Sequence, residues 1–233
     1  MKLQSTFIAL GLAIGSTVSQ AAELEITVQN ISHGMYFAPL LISAHSSDQH
    51  LYTLGEEASL EIQAMAEGGD LSGLITMTQG LGADNSANPA EGPMHPGDMV
   101  STMLTTSDGN QSLSIVGMMV PSNDAFVGLD AWQIPTEAGT YEFYLNSYDA
   151  GTEANDEIRG GGAPGTPGLP TLPFFDAEVG TGGSGVTSVE TNTSVHVHRG
   201  SIGDDDPAGG SSDLDNTLHR WLNPVAKVTV TVN

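Results

Sequence analysis

"TYEFYLNSYDAGTEANDE", residues 140–157, carries the reading of the whole chain. Its first half alternates apolar and polar side chains from Tyr141 to Leu145, the period of two that marks a half-buried β-strand. The run then stops in acid: Asp149, Glu153, Asp156 and Glu157 follow within a few residues, with Gly151 between them. Like charges held this close repel. Such a cluster is either spread over a solvated loop or gathered around a cation.

The same alternation recurs along the chain. Strands are expected at "LEITVQNI" (24–31), "YFAPLLISAH" (36–45), "GLITMTQ" (73–79), "DMVSTMLTT" (98–106), "SLSIVGMMV" (112–120), "AFVGLDAW" (125–132), "TSVHVHR" (193–199) and "AKVTVTV" (226–232). "SDGNQ" (107–111) carries an Asp-Gly turn and joins two of them as a hairpin. One segment differs. "GEEASLEIQAMAEGG" (55–69) places Leu60, Ala64 and Met65 at helical spacing, with Ser59 or the preceding acids to cap its start and Gly68 to end it. Many short strands with one short helix in a connection predict an all-β fold, an antiparallel β-sandwich. "GGGAPGTPGLPTLPFF" (160–175) and "IGDDDPAGGSSDLDN" (202–216) read as long surface loops, the first anchored by Phe174 and Phe175. Strand patterns resume after both, so residues 22–233 are read as one domain.

Residues 1–21 read as a signal peptide: Lys2, an apolar stretch from Phe7 to Ile14, and a small-residue site that places cleavage after Ala21. The expected destination is outside the cytoplasm: periplasm, cell surface or medium. The chain has no cysteine, so export has not been used to add disulfides. It carries 28 Asp plus Glu against five Lys plus Arg, a net charge of −23, which argues against nucleic acid or anionic lipid as partners and suits divalent cations.

Calcium takes six to eight oxygen ligands and tolerates irregular geometry, so loops at one end of a β-domain can supply it. Asp149 and Glu153 stand four residues apart, with Gly151 allowing the backbone to fold between them. The spacing is not that of an EF-hand. Asp124, in "VPSNDAFVGLDAW" (120–132), sits where one strand turns into the next. "PSNDAFVGLD" followed by "YEFYLNSYDAGTE" resembles the spondin N-terminal domain, found in F-spondin and mindin and in exported bacterial proteins. That family shows Ser-Pro-Asp-Trp-Phe-Val-Gly, then a strand ending Tyr-Asp-Ala-Gly-Thr-Asp. "ITVQNISHGMYFAPLLISAH" (26–45), the helix segment and "NPVAKVTVTV" (223–232) also look like bacterial members. The resemblance implies a C2-like sandwich from extracellular adhesion proteins, holding calcium through Asp124, Asp149 and Glu153. Here Ala125 replaces the family's tryptophan, Glu153 replaces an aspartate, and the spacing between motifs is shorter. The implied role is non-enzymatic: binding, adhesion or structure, toward a protein or extracellular-matrix or surface partner whose identity the sequence leaves open.

Two rivals stand beside this reading. His196 and His198 share one face of a strand about 7 Å apart. With His95 or His219 as a third ligand they could hold copper or zinc in a periplasmic carrier, helped by Met94, Met99 and Met103. Ordinary strand histidines and core methionines are the plainer account of the same residues. The second rival is a hydrolase with an unrecognised site. No cysteine and no G-x-S-x-G elbow supports it.

Overall fold

The structure is a computed structural model and describes residues 21–233; the expected signal peptide lies outside the described residues except for Ala21. The alternation in the sequence becomes strands with one face buried. In β1 (Glu23–Asn30), Leu24, Ile26 and Val28 point inward while Glu23 and Glu25 face solvent. In β10 (Ala226–Val232), Val228, Val230 and Val232 do the same, and the two strands pair antiparallel from Leu24↔Val232 to Asn30↔Ala226. The remaining strands are β2 (Tyr36–Phe37), β3 (Leu41–His45), β4 (Asp84–Ala87), β5 (Met99–Thr105), β6 (Ser112–Val120), β7 (Ala125–Gln133), β8 (Gly139–Asp149) and β9 (His196–Val197). All of the pairings between these strands are antiparallel, in the order β4-β3-β6-β7-β8-β10-β1-β5, with β2 on β6 and β9 on β8. The path rolls until its ends meet. Ser86 on β4 and Thr102 on β5 share a hydroxyl hydrogen bond of 2.8 Å, which makes the sheet nearly closed and barrel-like.

Strand β6 explains the two cores. All nine of its residues are buried. Leu113, Ile115 and Met119 point into the core enclosed by the rolled sheet; Val116, Met118 and Val120 point into a second core on its outer face. Two helices, α1 (Leu60–Gly68) and α2 (Ser72–Gly80), and the long loops cover that second core with Ile62, Met65, Leu74, Leu169, Phe175 and Leu214. A strand clad on both faces becomes a nearly continuous apolar run.

The all-β antiparallel expectation holds, with local corrections. The 107–111 turn does not close a hairpin, because β5 pairs with β1 while β6 pairs with β3 and β7. "GLITMTQ" is not a strand but most of α2. Asp70 accepts the Ser72 N–H at 2.8 Å, and Leu74 and Thr78, four residues apart, are the buried side. Thr76 and Thr78 return their hydroxyls to the Ser72 and Leu74 carbonyls, satisfying polar groups that would otherwise disfavour a helix. Two helices therefore replace the one expected. Of the two expected caps for α1 it is Ser59 that serves, accepting from the Ile62 N–H, but Gly69 rather than Gly68 takes the left-handed C-cap, and Leu60 is exposed. The "YFAPLLISAH" run breaks into β2 and β3 around Pro39, and "TSVHVHR" shrinks to the two residues of β9. Phe175 anchors its loop; Phe174 stays 43 % exposed.

Candidate functional site

Where β7 begins and β8 ends, Ala125 pairs with Asp149. Ser122 fixes the turn into β7 by donating to the Met119 carbonyl (2.5 Å) and accepting the Ala125 N–H (3.1 Å). That leaves Asp124 fully buried beside the end of β8. After Asp149 the chain turns at Gly151, whose φ is +71° and whose missing Cβ would lie 2.7 Å from the Thr193 carbonyl carbon. Only glycine fits there. The turn swings the Thr152 and Glu153 N–H groups back onto Asp124 Oδ2 at 2.8 and 3.1 Å. Asp149 Oδ1 accepts the Gly151 N–H at 2.8 Å, and its Oδ2 accepts from Asn155 at 2.7 Å. Glu153 Oε2 accepts from Asn123 and from the Gly168 N–H, both at 3.2 Å. The Asp-Ala-Gly-Thr-Glu stretch is thus a folded loop in which the carboxylates hold backbone or amide N–H groups, Asp124 and Glu153 through one oxygen and Asp149 through both.

The other oxygens matter more. Asp124 Oδ1 and Glu153 Oε1 are buried without a hydrogen-bond partner. Burial pushes all three carboxyls above the usual carboxylate range. For Asp124 the neighbouring Asp149 charge adds to this, against the pull of the Thr152 and Glu153 N–H groups. Glu153 is pushed up to about 7, chiefly by burial, with smaller pushes from Glu67 and Asp156. No Lys or Arg forms an ion pair with any of the three among the described residues. The sequence-predicted set is therefore brought together, yet among the described residues no three His, Asp or Glu side chains are grouped so as to enclose an ion as they stand.

His196 and His198 do converge, and on Asp149: their Nε2 atoms lie 3.6 and 3.8 Å from its Oδ2. Gly200 donates to His198 Nδ1 (2.9 Å), so the ring proton sits on Nε2 and donates to Asn155 Oδ1 (2.8 Å). Burial, with the Arg199 and His196 charges, pushes His198 down to about 3, so it is neutral at pH 7. Both of its nitrogens are committed, which leaves no lone pair for a metal. His95 is elsewhere, exposed and packed against the Tyr36 and Phe174 rings at 5.1 and 5.2 Å. His219 Nδ1 accepts the Asp215 N–H. The three-histidine ligand set is not assembled. Met94 is core, but Met99 and Met103 lie on the outer face of β5, 66 % and 61 % exposed, contrary to the expectation that they pack inside.

Sequence reasoning missed the side chains that tie the loops together. Asn123 bridges Glu153 and Asp156 and accepts the Glu157 N–H; Asn155 bridges Asp149 and His198. Glu157 reads as a solvated acid but is 4 % exposed, with its carboxylate accepting from Ile202 N–H (2.6 Å), Gly203 N–H (2.8 Å) and Ser212 Oγ (2.7 Å). A buried Ser–His pair also exists: Ser114 Oγ lies 2.7 Å from His45 Nε2, whose Nδ1 faces the Ser46 carbonyl. Ser114 also accepts the Ala131 N–H, and at 0 % and 1 % exposure the pair holds the irregular β6–β7 pairing together, out of reach of a substrate.

Among the described residues no helix is long and apolar enough to cross a membrane. No curated protein matches the chain. Residues 29–160, from β1 through the Asp124 turn to the end of the acidic loop, match the Spondin_N family model. That span is more than half of the 233 residues and contains Asp124, Asp149 and Glu153, and on it the chain belongs to the Spondin_N family.

Proposed function

We propose that this chain is an exported, calcium-binding β-module with a binding, adhesive or structural role and no catalytic one. One observation carries the reading: Asp124 Oδ1 and Glu153 Oε1 are buried, unpartnered carboxylate oxygens beside a third buried carboxylate, Asp149. Buried charge without a counter-charge is costly, and a hard divalent cation is the partner that carboxylate and carbonyl oxygens favour. Asp124, Asp149 and Glu153 would hold it, and the ion would replace repulsion between the β6–β7 turn and the 149–157 loop with a shared attraction. In this reading the fold is a C2-like sandwich whose halves, β5-β1-β10-β8 and β4-β3-β6-β7, face each other across the enclosed core. The signal-like residues 1–21 and the family support a place in the periplasm, on the cell surface or in the medium. Copper or zinc is the poorer reading, since His95 stands apart and His198 has no free nitrogen.

The test is the melting temperature of purified protein before and after chelation, with elemental analysis of the native sample. Calcium binding only the folded state adds about 2.7 kcal/mol at a hundredfold excess over Kd, worth roughly 5–11 °C for a domain of this size. Calcium should restore the loss better than magnesium, which demands a tighter octahedron. Asp149→Asn should blunt the response. A melting temperature that ignores both chelator and calcium, with no heat of binding by calorimetry, would sink the calcium reading.

A further inference from the structure

A cleft of about 490 Å³ opens between the segment after β1 and the segment before β10, lined by Ile31, Ser32, His33, Arg220, Trp221 and Leu222. It lies within the size range of ligand-binding clefts. Gly34 brings the two segments together: a Cβ there would fall 2.1 Å from the Leu218 carbonyl oxygen. The walls are apolar and open, with Leu222 82 % and Ile31 39 % exposed, and Trp221 is buried and packed on His198, ring centroids 4.9 Å apart.

Charge singles the cleft out. Four Lys and Arg residues lie among those described. Arg159 pairs with Asp176 and Lys227 with Glu142, whereas Arg199 and Arg220 form no ion pair among the described residues. The two free arginines stand on touching segments, since a Cβ on Gly200 would meet the Trp221 carbonyl oxygen at 2.5 Å. Arg220 lines the cleft itself, with exposed His33 among its neighbours there. On a chain of net charge −23, an apolar cleft with an unneutralised arginine is a local reversal of sign.

We propose that this cleft docks an extended acidic segment of a partner protein, an apolar side chain seated between Ile31 and Leu222 and a carboxylate on Arg220. A guanidinium favours planar, bidentate carboxylate recognition. A second copy of this chain and an anionic bilayer are both disfavoured as occupants, because each would bring many negative charges against a molecule already at −23, whereas a short acidic segment brings only the few that meet Arg220. The proposal rests on the reading of the chain as a binding module but not on calcium.

The experiment is fluorescence anisotropy of a labelled hexapeptide of alternating leucine and aspartate, titrated with the chain from residue 22 onward. Saturable binding is expected, weakening from about 0.05 M to about 1 M salt as the Debye length shrinks to about 3 Å. Arg220→Glu should weaken it at least about tenfold and Leu222→Ser severalfold, as truncating a cleft's anchors does. Lys227→Ala should leave it unchanged. Arg220 and Leu222 are exposed, so both variants should melt like the parent. Absent peptide binding, or binding indifferent to Arg220→Glu, overturns the proposal. So does a cleft that instead binds phosphatidylglycerol vesicles, or that dimerises by sedimentation in a Leu222-dependent way. The calcium response in melting is read separately, so either idea can fail while the other stands.

Discussion

Glu157→Gln separates two views of the acidic loop. If Glu157 is one more mutually repelling surface carboxylate, removing its charge changes stability by no more than about 0.5 kcal/mol, and in the favourable direction. The structure gives the opposite expectation. The carboxylate accepts three hydrogen bonds, from Ile202 N–H, Gly203 N–H and Ser212 Oγ, and the side chain is 4 % exposed. Hydrogen bonds to a charged acceptor contribute about 1.5–3 kcal/mol each, and a buried donor left without a partner costs about 1–3 kcal/mol. Glutamine keeps one acceptor oxygen but turns an N–H₂ group toward one of the donors. About 3–5 kcal/mol of stability should therefore be lost, with the 200–214 loop released from the 155–158 segment. Urea unfolding at pH 7 measures this, as a lower midpoint at unchanged slope. The melting temperature should fall by roughly 6–20 °C. A change below about 0.5 kcal/mol would refute the assignment of Glu157 as a staple between loops.

Three other outcomes are expected. Gly151→Ala forces a side chain into a left-handed φ against the Thr193 backbone, and should cost about 2 kcal/mol or more in urea unfolding while weakening any calcium response. His196→Gln should be nearly neutral in stability because His196 is part-exposed, whereas His198→Gln should cost about 1–3 kcal/mol, because His198 is buried with both nitrogens bonded; tight copper or zinc binding that either variant abolishes would revive the histidine-site reading. His219 supplies a pH dependence: burial pushes its folded value from 6.5 down to about 4. The unfolded imidazole takes its proton first, so His219 favours unfolding progressively as the pH falls below 6.5 toward the folded value. Relative to His219→Gln, wild type should lose about 2 kcal/mol between pH 7 and pH 5. The raised Glu153 works in the opposite sense in ion-free protein but is common to both chains, so the difference isolates His219; equal pH slopes for the two would show the imidazole is not held neutral.

What could be read from sequence follows period and chain locality. β1, β8 and β10 were legible because alternating apolar residues make sense only with one face buried, and β6 because a short, nearly continuous apolar run fits a strand buried on both faces. Alternation assigns residues to faces without saying which face is inside. Met99 and Met103 do share a face, but it is the outer one. "GLITMTQ" fits either period over so short a run; tertiary contacts decided it, with Leu74 and Thr78 buried on one side of a helix that the Asp70 side chain starts. β4, "DNSA", has no apolar pattern and exists because β3 offers it an edge.

The candidate site divides along the same line. Asp149, Gly151 and Glu153 were legible because they lie together in one short stretch that ends a clearly patterned strand, and Asp149 catches the N–H two residues on, although Gly151 packs on the Thr193 backbone and Glu153 bonds Asn123 and Gly168. Asp124 joins them through strand register, Ala125 opposite Asp149, which the motif at residues 121–130 anticipates. Asn123, Asn155, Glu157 and His198 were not legible. The contacts by which they tie loops together reach 30 to 55 positions away, into segments without periodicity. Each of Asp124, Asp149, Glu153 and Glu157 gives at least one oxygen to N–H or O–H groups of the protein, and Asp149 and Glu157 give both. Among the carboxylates of the described residues, Asp124 and Glu153 alone keep a buried oxygen with no partner. The acidic loop is therefore two things at once: a set of staples complete without any ion, and a pair of unmet acceptors that a cation would satisfy. Replacing a staple should unfold the loop whether or not calcium is present, whereas replacing Asp124 by Asn should change stability mainly through its response to calcium.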